Sequence, residues 1–153
     1  MQAKRIECPY IGFRMGSLSN VQDIHFTERE MIVEMHFSGI AAAKCNRKLS
    51  ILPNTFAECF ASKTKFPLLR SEGISILPEQ TEYRRKKARC YKLYFPLPSE
   101  GTEFINIIFA EGQSEWQYLL NVYYICLTEA ARKKMKHHYE RINSAEEIAE
   151  HFK

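Results

Sequence analysis

The sequence predicts a mainly all-β chain: an antiparallel, immunoglobulin-like β-sandwich with a short C-terminal helical extension. Three observations predict it. Apolar and polar residues alternate with period two in several short runs. Turn residues interrupt those runs every dozen residues or so. Ten Phe and eight Tyr supply flat rings that pack well on a pleated surface.

The elements follow in order. "NVQDIHFTERE" (20–30) is strand-like up to the polar "TERE", which reads as a turn. "EMIVEMHFSG" (30–39) puts Met31, Val33, Met35 and Phe37 on one side and Glu34, His36 and Ser38 on the other. That is a half-buried antiparallel strand, so the two runs form a hairpin. "KLSILPN" is a strand stopped by Pro53 and Asn54. "TFAECF" and "KFPLLR" flank the polar "ASKT" as a second hairpin, and "EGISILPEQ" carries a further strand from Gly73 to Pro78.

Residues 79–89 are almost wholly polar and read as a connection between strands. From Cys90 the alternation resumes, with Tyr91, Leu93 and Phe95 on the core side. "FINIIFA" (104–110) is apolar on both faces apart from Asn106, as in a central strand, and "SEWQYLLNVYYICL" (114–127) reads as the last strand. Phe95, Ile107, Phe109, Leu120 and Val122 are the expected core.

The composition changes at Leu127. Leu127, Ala131, Met135, Tyr139 and Ile142 recur at near-helical spacing, and "SAEE" (144–147) is a capping box with Ser144 as N-cap. Helices are expected at 128–141 and 145–152. The predicted organisation is therefore a sandwich over 1–126 and a helical tail over 127–153.

Composition narrows the function. A chain of 153 residues is one core by length. The net charge is +4, and six basic residues crowd into 84–92, so the rest of the chain is slightly acidic. No apolar run approaches the ~18 residues of a membrane span. The opening "MQAKRIECPYIGF" lacks a long apolar stretch, and no signal peptide is expected in it. Cys8, Cys45, Cys59, Cys90 and Cys126 are widely spaced with no C-x-x-C pair, and read as free thiols acting as small apolar groups.

"YRRKKARCYKLYFPLP" (83–98) is the one charged constellation that offers a site. Arg84, Arg85, Lys86, Lys87 and Arg89 could contact an anion, with Tyr91 and Tyr94 stacking on bases. The competing reading is a solvated connection whose charge guards a strand edge. That reading is preferred, because Tyr91 alternates with core residues and no further basic stripe exists. His25, Glu34 and His36 would approach one another if their strands pair, but no metal is assigned to them. His137 and His138 point about 100° apart on a helix. No G-x-S-x-G elbow and no phosphate-cradling glycine loop occurs, so no catalytic residue and no cofactor is assigned.

Three blocks carry a family resemblance. "IECPYIGFRMGSLSNVQDIHFTEREMIVEMHFSG", "LPNTFAECFASKTKFPLLRSEGISI" and "YKLYFPLPSEGTEFINIIFAEG" follow in order. Together they resemble a family of bacterial envelope β-sandwich domains found N-terminal to thioredoxin-like thiol–disulfide oxidoreductase domains. The shared elements are a P-Y-x-x-F start and a G-I segment in the middle block, and "YFPLPSEGT" is similar to the family's F-x-P-L-P-x-x-T turn. The likeness covers residues 6–126, and "AAAK" at 41–44 departs from it. It implies a non-catalytic accessory domain in the cell envelope, associated with a thioredoxin-like protein; self-association is the other protein partnership expected. The residues alone leave open a cytoplasmic chain, and a binder of nucleic acid or anionic surfaces through 84–92.

Overall fold

A computed structural model of the chain describes residues 5–16, 19–37, 48–79, 81–82 and 89–141. In chain order the strands are β1 (Arg5–Glu7), β2 (Ile11–Arg14), β3 (Ser19–Phe26), β4 (Glu30–Phe37), β5 (Lys48–Ile51), β6 (Phe56–Cys59) and β7 (Lys65–Pro67). They continue as β8 (Arg70–Glu72), β9 (Ser75–Ile76), β10 (Thr81–Glu82), β11 (Arg89–Pro96), β12 (Phe104–Ile108) and β13 (Val122–Cys126). Helix α1 spans Glu129–Arg141.

Two five-stranded antiparallel sheets form the body, in the orders β1-β3-β4-β11-β8 and β2-β13-β12-β6-β7. A small third sheet, β10-β5-β9, includes the parallel pair β5–β9. The all-β, sandwich-like class expected from period-two alternation is therefore what the chain adopts. One apolar cluster draws on both large sheets, through Met31, Val33, Leu93 and Phe95 on one side and Ala57, Ile105, Ile107 and Ile125 on the other. The five expected core residues, Phe95, Ile107, Phe109, Leu120 and Val122, are all fully buried.

β4 shows why the alternation could be trusted. Met31, Val33, Met35 and Phe37 have no exposed surface, while Ile32, Glu34 and His36 between them are half-buried on the other face. Its partner β3 buries Val21 and Ile24, which period two alone would put on opposite faces. A register shift between Val21 and Asp23 makes Gln22 an extra residue and returns Ile24 to the core. The expected turn is closed by Thr27, whose N–H donates to the Glu30 carbonyl (2.9 Å) and whose Oγ1 accepts from the Glu30 N–H (3.0 Å). The second hairpin also forms, with β6 antiparallel to β7 and Lys63 at φ 59° in the turn.

One expected strand is corrected. Residues 114–127 do not run as a single strand, because Trp116–Leu120 is a short 3-10 helix and only Val122–Cys126 joins the sheet. Two buried amides hold this arrangement. Gln117 Nε2 donates to the Ser50 carbonyl (3.0 Å), and Asn121 binds the backbone at Phe109 and Ala110. The apolar run around them fits either conformation, so periodicity could not separate the two.

β13 itself is bulged: Ile107 faces Val122 and Ile105 faces Ile125, one residue more on β13 than on β12. Tyr124 occupies the distortion at φ 57°, and Asn106 Oδ1 accepts its N–H (2.9 Å). The one polar residue of the central strand thus satisfies a backbone donor that the ladder misses at the bulge.

α1 matches the first expected helix. Thr128 Oγ1 accepts the Ala131 N–H (3.0 Å), Ala131 is fully buried, and Met135 lies against Gly12 of β2. The expected second helix, at 145–152 with its Ser144 cap, lies outside the described residues. No helix among the described residues is long and apolar enough to cross a membrane.

Candidate functional site: an open strand edge along a cleft

Among the described strands, β1 ends the first sheet and pairs with β3 alone, placing Arg5 opposite His25, Ile6 opposite Ile24 and Glu7 opposite Asp23. The same register continues to Cys8, whose N–H donates to the Gln22 carbonyl (2.8 Å). In an antiparallel ladder, hydrogen-bonded pairs alternate with unbonded ones. If the 8–22 pair is bonded, then 6–24 is bonded and 5–25 and 7–23 are not. The N–H and C=O groups of Arg5 and Glu7 therefore point away from β3.

A cleft of about 550 Å³ runs along that side. Residues 5–10 form one wall; Glu100, Gly101, residues 126–129 and Arg132 form the other. No β3 residue lines it, which places it beyond the outer edge of β1. The bend from β1 to β2 is fixed by Cys8 at φ 43° and by the Cys126 N–H donating to the Tyr10 carbonyl (2.9 Å). The cleft is thus walled by the ends of both sheets and by the start of α1.

Its charge is mixed, with Arg5 and Arg132 against Glu7, Glu100 and Glu129. Arg5 is anchored: its Nε (2.8 Å) and Nη2 (2.7 Å) both reach Asp23 Oδ2, and its Nη1 lies 3.4 Å from Glu7. The hydrogen bond from Arg5 holds the Asp23 carboxyl below its ordinary range and keeps the guanidinium charged. Burial pushes the Cys126 thiol up to about 11, so it is protonated at neutral pH and is no nucleophile there.

The site expected at the basic run is placed only in part. Arg84, Arg85, Lys86 and Lys87 lie outside the described residues. Arg89 opens β11 opposite Phe37, and the last cation of the run, Lys92, sits between Glu34 and Glu72 in register. Neither tyrosine offers a free stacking platform. Tyr91 is buried in the core, as its alternation predicts, and Tyr94 is covered by the Arg70 guanidinium, 4.0 Å from its ring centre.

His25, Glu34 and His36 are not brought together. His25 faces Ile32 and His36 faces Asn20, so the two imidazoles are four strand positions apart, roughly 13 Å along the sheet. Among the described residues, no group of three His, Cys, Asp or Glu side chains is positioned to hold a metal ion. Cys8, Cys59, Cys90 and Cys126 are free thiols, while Cys45 lies outside the described residues.

The open edge was not singled out in the sequence. Its only signal is the three-residue "RIE" before a Cys-Pro turn, and which strand ends a sheet depends on pairings far along the chain. Comparison with protein-family models, with curated proteins and with solved structures gave no match to this chain.

Proposed function

We propose that the chain is a non-catalytic interaction domain that takes an extended polypeptide segment along β1. The observation that carries this reading is the pair of outward backbone edges, Arg5 and Glu7, facing a cleft walled on its far side by residues 126–129. An added strand would gain main-chain hydrogen bonds from β1, and alternate side chains would enter the cleft, the mode in which a sheet edge recognises a peptide. The cleft volume suits a few extended residues, and its mixed charge suits a segment carrying both signs.

The resemblance of residues 6–126 to envelope domains beside thioredoxin-like oxidoreductases supports the same kind of accessory role. The immunoglobulin-like label, the envelope location and a thioredoxin-like partner rest on that resemblance.

The test is a titration of the ¹⁵N-labelled chain with a synthetic extended heptapeptide bearing a Glu and a Lys two residues apart. The amide signals of Arg5 and Glu7 and those of residues 126–132 shift together if β1 accepts a strand. Shifts confined to other strands, or none at about 1 mM peptide, overturn the reading.

A further inference from the structure

We infer that the segment accepted by β1 is β1 of a second copy of this chain, paired antiparallel about a two-fold axis at Ile6. The inference rests on the reading of β1 as a binding edge, and it names the partner. The strand is Arg5-Ile6-Glu7, a cation and an anion flanking an apolar residue. Turned by two-fold symmetry, Ile6 meets Ile6, Arg5 meets Glu7 of the second copy, and Glu7 meets its Arg5. An isologous contact repeats each pairing, so both charge pairs are favourable at once.

The backbone agrees with this register. Arg5 and Glu7 carry the outward N–H and C=O groups, so the two 5–7 pairs are the hydrogen-bonded ones and Ile6–Ile6 is the close unbonded one. A register moved by one residue would set outward groups against inward ones. A register moved by two would form neither 5–7 pair and would set Arg5 against Arg5 or Glu7 against Glu7, like charges face to face. Hydrogen-bonding pattern and charge thus select the same alignment.

The charges also survive the contact. Arg5 uses Nε and Nη2 on Asp23, and its Nη1 lies 3.4 Å from Glu7 of its own chain, a longer contact that would be exchanged for the carboxylate of the second copy, whose Glu7 is well exposed. The other sheet edges are less suited. β7 ends in Pro67, which has no N–H, and β2 has Met135 of α1 packed against Gly12. β8 has Arg70 joined to Glu30 and Glu72 opposite Lys92.

A three-residue strand pair is a small interface, so the association is weak and is measured by sedimentation equilibrium at about 1 mM chain. The wild-type chain, R5E, E7R and an equimolar mixture of R5E with E7R are compared. The wild type is expected to dimerise. Each single reversal sets like charges opposite one another twice and weakens the dimer about tenfold or more. The mixture restores it, because a chain with Glu at 5 and 7 meets one with Arg at both. E7R leaves the Arg5–Asp23 ion pair in place, and circular dichroism shows whether each variant is folded.

A monomeric wild type overturns the inference, and so does a dimer that E7R leaves unchanged or that the mixture fails to restore. If the wild type is monomeric but the heptapeptide still shifts Arg5 and Glu7, the binding edge stands and only its partner is wrong.

Discussion

The Asn121 side chain stands where a neighbouring strand would: its Oδ1 accepts the Phe109 N–H (2.6 Å), and its Nδ2 donates to the Ala110 carbonyl (2.9 Å). It is almost wholly buried, so no water can replace those bonds without opening the core. Asn121→Leu should cost about 3 kcal/mol in urea unfolding, from backbone groups left unpaired. Phe109, whose N–H it holds, is a fully buried ring, and Phe109→Ala should cost about 3–5 kcal/mol. A loss below about 1 kcal/mol at either position would contradict the packing described. Asp23 gives a pH-dependent counterpart. Its carboxyl is depressed by the hydrogen bond from Arg5, so the stabilisation is fully present above the unfolded value, near pH 4, and fades as pH falls below it. The melting temperature of Asp23→Asn should lie below wild type at pH 7 and converge with it at the acid end. Phe109 was legible as core because it sits in an apolar run. Asn121 was not, because its partners lie in a different element and one polar letter does not say what it will bond.

At the scale of elements, alternation was legible where a strand has one dry face, as in β4, and where a hydroxyl closes the turn, as at Thr27. It failed at 114–127, where buried amides rather than periodicity choose a 3-10 helix followed by a strand. It was silent on the two bulges, since an extra residue shows only once its partner strand is known. The contact of α1 with the second sheet makes a prediction of its own. A Cβ at Gly12 would lie 2.7 Å from the Cβ of Tyr124 and 3.3 Å from the end of Met135. Gly12→Val should therefore cost about 1–3 kcal/mol by overpacking, read as a lower urea midpoint with unchanged slope. The β1 edge belongs to the same class of fact as the bulges: its openness is a property of sheet order, not of "RIE" read by itself.

For the molecule as a whole, one core shared by two sheets holds the chain without a cross-link among its described cysteines. Reductant should leave the melting temperature unchanged in calorimetry; a fall of several degrees would mean that a disulfide carries stability. The order of the first sheet has a further consequence, in time rather than in space. β4 has two neighbours: β3 is joined to it by a tight turn, but β11 is supplied by a segment that begins about 50 residues later. The β3–β4 hairpin can close in ~1–10 μs, while its other edge waits for a distant strand. On a ribosome adding about 5–20 residues per second, the second edge of β4 would stay unpaired for roughly 3–10 s after it emerges. The hairpin that defines the fold most clearly is therefore also the part of the newborn chain most open to the wrong neighbour.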